Sequence, residues 1–293
     1  MSIPIKDISK PDMHADDLLT DFTPREITLN DVSKRVYVTG SGGVSDGSSG
    51  NGGSDSRPAV IVMTEMPGIS PHVARFARWV RDAGFTVYMP SLFGRDGVVA
   101  TAEEGAAVFQ KACVSAEFRA FAGKGTSPVT LWLRALAKLA HAECGGPGVG
   151  AIGMCFTGNF ALSMMLEPAV LAPVVAQPSL PMDDPAGTGL DAADLQVVRQ
   201  RLENENLTVM AYRFEGDAFC RAQRFAAFSD ALGERFVSRV LPDSAANQDT
   251  APFFKRYVTT PHSVVTAHLI DEAGQPTLAA RDEILAFFHS RLV

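Results

Sequence analysis

Residues 149–167 read VGAIGMCFTGNFALSMMLE. The first seven form an apolar run with no charge, the pattern of a strand covered on both faces. The remainder carries apolar residues at helical spacing. Between the two stands Gly153-Met154-Cys155-Phe156-Thr157-Gly158. A chain that leaves a buried strand and enters a helix within so few residues must turn tightly, and small residues are needed where helix and strand approach. The stretch therefore predicts a strand, a sharp turn and a helix, with Cys155 at the turn.

Working outward, the same alternation repeats. PAVIVMT (58–64) predicts a strand, SPHVARFARWVRDAG (70–84) a helix and FTVYMP (85–90) a strand. Residues 97–125 hold a helical patch, and PVTLWLRALAKLAHAE (128–143) is a second clear helix. Downstream, VLAPVVAQPS (170–179), NLTVMAYRFEGD (206–217) and FVSRVLP (236–242) predict strands. DLQVVRQRLEN (194–204), CRAQRFAAFSDALG (220–233) and DEILAFFHSRL (282–292) predict helices. Repeated strand–helix units imply an α/β fold, with a mostly parallel central sheet and helices on both faces. Upstream, REITLNDVSKRVYV (25–38) predicts two short strands turning at Asn30–Asp31. Residues 39–57 are rich in Gly and Ser, which bury too little apolar surface to offset their ordering entropy, so a flexible loop is expected. The expected organisation is an N-terminal extension over 1–57 and one α/β domain over 58–293.

Composition narrows the function classes. The chain has 293 residues, 46% hydrophobic, with 26 Lys and Arg against 33 Asp and Glu. The charges are interspersed and the net charge is −7, so nucleic acid and anionic membrane surfaces are poor partners. No run approaches the roughly 18 apolar residues of a membrane-spanning helix. The N-terminal MSIPIKDISKPDMHADD lacks the apolar core of a secretion signal. Cys113, Cys144, Cys155 and Cys220 form no Cys-x-x-Cys pair, so neither a metal site nor a disulfide framework is expected. A reduced, cytoplasmic protein without metal or organic cofactor is the expectation. The Gly-rich tract is not a phosphate-binding loop, because it lacks the Lys-Ser/Thr ending and precedes a strand instead of joining strand to helix.

The chemistry centres on Cys155. A lone cysteine is ordinarily a small buried hydrophobe. Here flanking glycines place it at the carboxyl edge of a sheet and at a helix N-terminus, which favours a thiolate. A nucleophile of this kind needs a base, and the base needs an acid to orient it. Asp217 follows a strand in FEGDAF, and His262 lies in TTPHSVV after the last strand. Asp217 could equally cap the helix that follows it. Of the six histidines, His72, His141 and His289 fall in helices and His14 precedes the core, so His268 is the competitor of His262.

On these residues the chain resembles the dienelactone hydrolase family, within the α/β-hydrolase superfamily, over roughly residues 58–292. The likeness rests on Gly-Met-Cys-Phe-Thr-Gly, on Glu65 in MTEMPGIS, on Arg95 in PSLFGRDG, on Gly216-Asp217-Ala218-Phe219 and on His262-Ser263-Val264. It implies a Cys155–His262–Asp217 triad and oxyanion donors at the backbone N–H groups of Met66 and Phe156. It further implies that Glu65 contacts the resting cysteine and pairs with an arginine, and that Arg95 binds substrate. The implied activity is cleavage of a small-molecule ester or enol lactone through an acyl-enzyme. Thioester hydrolysis, acyl transfer and carbon–halogen chemistry are alternatives on the same triad, as is a binding protein on a hydrolase scaffold. Two departures stand out. Thr157 occupies a position where the family has glycine. Thr266 replaces a second arginine that in dienelactone-specific members holds a substrate carboxylate. The long 96–127 stretch is expected near the mouth of the site.

Overall fold

A computed structural model of the chain describes residues 12–39, 57–115 and 127–293. The glycine-rich tract between 40 and 56, and the end of the helical patch over 116–126, lie outside the described residues. The N-terminal strands form as β1 (Thr23–Leu29) and β2 (Val32–Val38). Both turn residues between them have positive φ, 50° at Asn30 and 61° at Asp31. This is the two-residue turn whose twist matches that of the flanking strands, and Asn and Asp tolerate it best after glycine.

Six further strands complete one sheet: β3 (Ala59–Val62), β4 (Thr86–Pro90), β5 (Val149–Met154), β6 (Val170–Ala176), β7 (Val209–Phe214) and β8 (Phe236–Leu241). Their order is β1-β2-β4-β3-β5-β6-β7-β8. From β4 to β8 every pairing is parallel, while β1, β2 and β4 pair antiparallel at the edge. The α/β expectation therefore holds in the parallel body. The N-terminal hairpin extends that same sheet, and Trp132 Nε1 donates to Val32 O (2.9 Å) to fasten it.

Eight helices are described: α1 (Pro71–Asp82), α2 (Ala102–Val114), α3 (Pro128–Cys144), α4 (Gly158–Met164), α5 (Ala192–Asn204), α6 (Ala222–Leu232), α7 (Pro252–Tyr257) and α8 (Pro276–Leu292). Strand side chains alternate between two cores. Ile61 belongs to one, with Trp132, Leu136, Phe160 and Phe228 from helices on that face. Val60 and Val62 belong to the other, with Phe76 and Val80 of α1 and Ile284 and Phe288 of α8. Burial on both faces explains why these strands read as unbroken apolar runs. The short helix α7 was not expected from sequence. It is a turn and a half, PFFKRY, too short to show a period. It packs against α2, and the contact requires Gly105: a Cβ there would lie 2.2 Å from the Phe253 ring.

Candidate active site

The turn after β5 is as tight as its sequence predicts. Cys155 has φ +55°, a left-handed conformation that costs a side-chain-bearing residue energy and persists only where the surroundings impose it. A Cβ at Gly153 would lie 2.1 Å from Thr157 O, and one at Gly158 would lie 2.5 Å from Pro178 Cα, so neither position has room for a side chain. Thr157 resolves the departure seen in sequence. Its hydroxyl is fully buried and accepts from Met154 N–H (2.9 Å), and its proton faces the carbonyls of Met154 (3.0 Å) and Thr64 (3.1 Å). The hydroxyl thus ties the turn to the end of β3. Cys155 to Thr157 form one 3-10 turn before α4 begins at Gly158.

The structure brings Cys155, His262 and Asp217 together. Cys155 and His262 line one cavity of about 360 Å³ at the carboxyl edge of the sheet. His262 Nδ1 lies 2.7 Å from Asp217 Oδ2, and both residues are buried. The second oxygen, Asp217 Oδ1, accepts from Phe219 N–H (2.9 Å) and Cys220 N–H (3.0 Å). The capping alternative is not realised: the following helix is capped at Arg221 without a side-chain bond, and Asp217 Oδ1 instead fixes the turn that leads into it. In the neutral ring, with the Nδ1 proton facing the carboxylate, Nε2 is the acceptor. It is buried and opens toward the cavity shared with Cys155. Burial opposes charging of this imidazole, but the Asp217 carboxylate and the nearby Cys155 sulfur outweigh it, and its pKa lies well above the usual histidine value. Cys155 Sγ also stands 3.6 Å from Ser179 Oγ.

His268 is placed differently. Its Nδ1 accepts from Ser263 N–H (3.1 Å), and burial with the neighbouring His262 charge lowers its pKa to about 4. It is a neutral ring that shapes the loop carrying His262.

Two expectations implied by the resemblance are corrected. Glu65 pairs with neither Cys155 nor Arg95. Its Oε2 accepts from the Ser263 hydroxyl (2.6 Å), and burial raises its pKa despite that bond. It therefore braces the loop next to His262 through Ser263. Arg95 does not reach the catalytic cavity. It is two-thirds exposed, bonds Glu104 (2.8 Å) and lines a neighbouring cavity of about 230 Å³. Glu104 is fixed in the capping box that starts α2, and it draws the guanidinium outward. Thr266 is fully buried and lines neither cavity. Met66 does line the catalytic cavity. Phe156, the residue after the cysteine, packs edge-on to Phe93 (5.6 Å) and Phe109 (6.4 Å).

Sequence reading missed three contributors. The first is Ser179, which follows β6 at the same sheet edge, a placement rule that could have found it. The second is α7, which joins α2, expected near the mouth, to make an aromatic roof. The third is Arg224, whose five N–H groups all meet carbonyls. Nε bonds Gly187 O (2.8 Å). Nη1 bonds Pro178 O (2.7 Å) and Phe219 O (3.2 Å), and Nη2 bonds Pro181 O (2.5 Å) and Asp184 O (2.7 Å). This buried cation joins the loop of Ser179 to the loop of Asp217. No sequence signal distinguishes it from an ordinary helix arginine.

With this geometry in place, the sequence model of the dienelactone hydrolase family matches residues 49–235. The chain belongs to the dienelactone hydrolase family. As a member it is a hydrolase of ester bonds, with a small-molecule ester or lactone as the fitting substrate. Solved structures share its fold. A protein of Klebsiella pneumoniae assigned as a dienelactone hydrolase is 16% identical with a TM-score of 0.57, over 90% of this chain and 98% of that one. A dienelactone hydrolase-like promiscuous phosphotriesterase from metagenomic libraries is 19% identical with a TM-score of 0.58, over 93% and 100%. An esterase of Pyrococcus furiosus is 12% identical with a TM-score of 0.52, over 93% and 94%. At such identities the likeness is one of fold. No curated protein matches the chain. Among the described residues, no helix is long and apolar enough to cross a membrane, and no three His, Cys, Asp or Glu residues are grouped to hold a metal ion.

Proposed function

We propose that this family member cleaves a carboxylic ester or lactone through a covalent acyl-Cys155 intermediate. The observation that carries the reading is the buried His262–Asp217 pair opening onto the same cavity as Cys155, on a left-handed turn after β5. His262 Nε2 takes the Sγ proton, and the sulfur attacks the carbonyl carbon. The N–H groups of Met66 and Phe156 receive the developing oxyanion. Collapse breaks the C–O bond, and the alcohol leaves with the proton held by His262. Water then attacks the thioester, giving its proton to His262. The acid departs and the thiol is restored. Asp217 orients the ring and stabilises the imidazolium, which its raised pKa supports. Glu65 holds the His262 loop through Ser263. All four cysteines are free thiols, which supports a reducing, cytoplasmic setting.

The test is mass spectrometry of the protein quenched during turnover of an activated ester, alongside Cys155→Ala. The expected result is an acyl adduct on Cys155 and a loss of activity of at least about a thousandfold in the variant. Full activity in Cys155→Ala would refute the reading.

A further inference from the structure

The catalytic cavity is built for an apolar guest. Its walls are the rings of Phe109, Phe219, Phe253, Phe254 and Tyr257 with the thioether of Met182. The rings meet edge-on or tilted: Phe253 lies 5.5 Å from Phe254 and 5.7 Å from Tyr257, and Phe219 lies 5.4 Å from His262. Among the described residues, no Lys, Arg, Asp or Glu lines this cavity. Two nearby residues are turned away from it. Arg95 faces Glu104 on the far side of α2, and Thr266 is buried away from the cavity. The polar groups besides Cys155 and His262 are the Ser179 hydroxyl beside the sulfur, Gln110 at the exposed rim and the half-exposed Tyr257. A carboxylate entering here would lose its water without gaining a Lys or Arg partner, and it would approach the Asp217 carboxyl behind His262.

From the aromatic walls and the outward-turned Arg95, we infer that the substrate is an uncharged ester with an apolar acyl group, and that esters bearing a carboxylate are rejected. The inference rests on the proposed esterase reading. It assigns selection to the roof formed by α2 and α7, where Gly105 lets Phe253 close over the site.

Phenyl hexanoate and phenyl hydrogen adipate test it. They differ in a terminal methyl against a carboxylate and release the same phenol. With spontaneous hydrolysis subtracted, kcat/KM for the hexanoate is expected to exceed that for the adipate at least a hundredfold. Gln110→Arg places a cation at the rim without replacing a buried group, and it is expected to narrow the gap at least fivefold by raising the adipate rate. Comparable rates for the two esters, or a gap unmoved by Gln110→Arg, would overturn the inference and leave the esterase reading intact. Turnover of neither ester would remove the esterase reading itself.

Discussion

The floor and the roof of the catalytic cavity are held together by different forces. The floor is polar and directional. Thr157, Asp217, Ser263 and Arg224 each place a backbone or side-chain atom through hydrogen bonds of 2.5–3.2 Å. The roof is apolar: α2 meets α7 through a glycine and a phenylalanine ring. Directional bonds fix reacting atoms to within fractions of an ångström, as acyl transfer demands. Ring packing sets a volume and a polarity, which suffices to choose among substrates. Changes in the floor should therefore strike the rate of the chemical step, and changes in the roof should strike binding.

The largest expected effect tests the floor. Asp217→Asn keeps the shape of the side chain but removes the charge that stabilises the imidazolium. We expect kcat to fall about a thousandfold with little loss of thermal stability. A fall below tenfold would break the contrast. The next tests the roof. Phe253→Ala enlarges the cavity without touching the reacting atoms. KM for phenyl hexanoate should rise about tenfold with kcat nearly unchanged, the signature of lost ground-state binding. A matching fall in kcat would show that the roof also positions the reacting carbon.

The smallest effect on activity lies beyond the roof. His72 lines the neighbouring cavity, is buried, and among the described residues has no hydrogen-bond partner on either ring nitrogen. Burial, helped by the charges of Arg75, His14 and His268, lowers its pKa to about 3. Its pKa is depressed relative to the unfolded value of about 6.5. The neutral ring thus supports the fold above that value and loses this support as pH falls. Replacing it with phenylalanine should leave kcat/KM at pH 7 within twofold. The variant should also lose about 2 kcal/mol less stability than wild type between pH 6.5 and 5, by denaturant titration at each pH. An unchanged acid loss would mean that His72 reaches water in solution.

The same division decides what could be read from sequence. The floor was legible where a strand end delivers a residue to the sheet edge. Cys155 and Asp217 follow from that rule, and His262 lies on the longer connection after the last strand; the structure sets His262 against Asp217 and on one cavity with Cys155. Glu65 and Arg95 were placed on the right loops, but the directions of their side chains depend on partners distant in the chain. Ser263, 198 residues away, holds one, and the capping box of α2 holds the other. The roof was legible only in its α2 half, through the 96–127 stretch, and its packing was not. Six residues of α7 carry no period, and a glycine inside α2 reads as a weakness until its contact with Phe253 is known.

Arg224 has a mechanical consequence. Because one guanidinium grips carbonyls on both sides of the cavity, the segments bearing Ser179 and Asp217 share a single hinge. Neither can swing without carrying the other. Reshaping this wall would then disturb the alignment of the acid, which makes the α2–α7 side the less costly place to admit a bulkier guest.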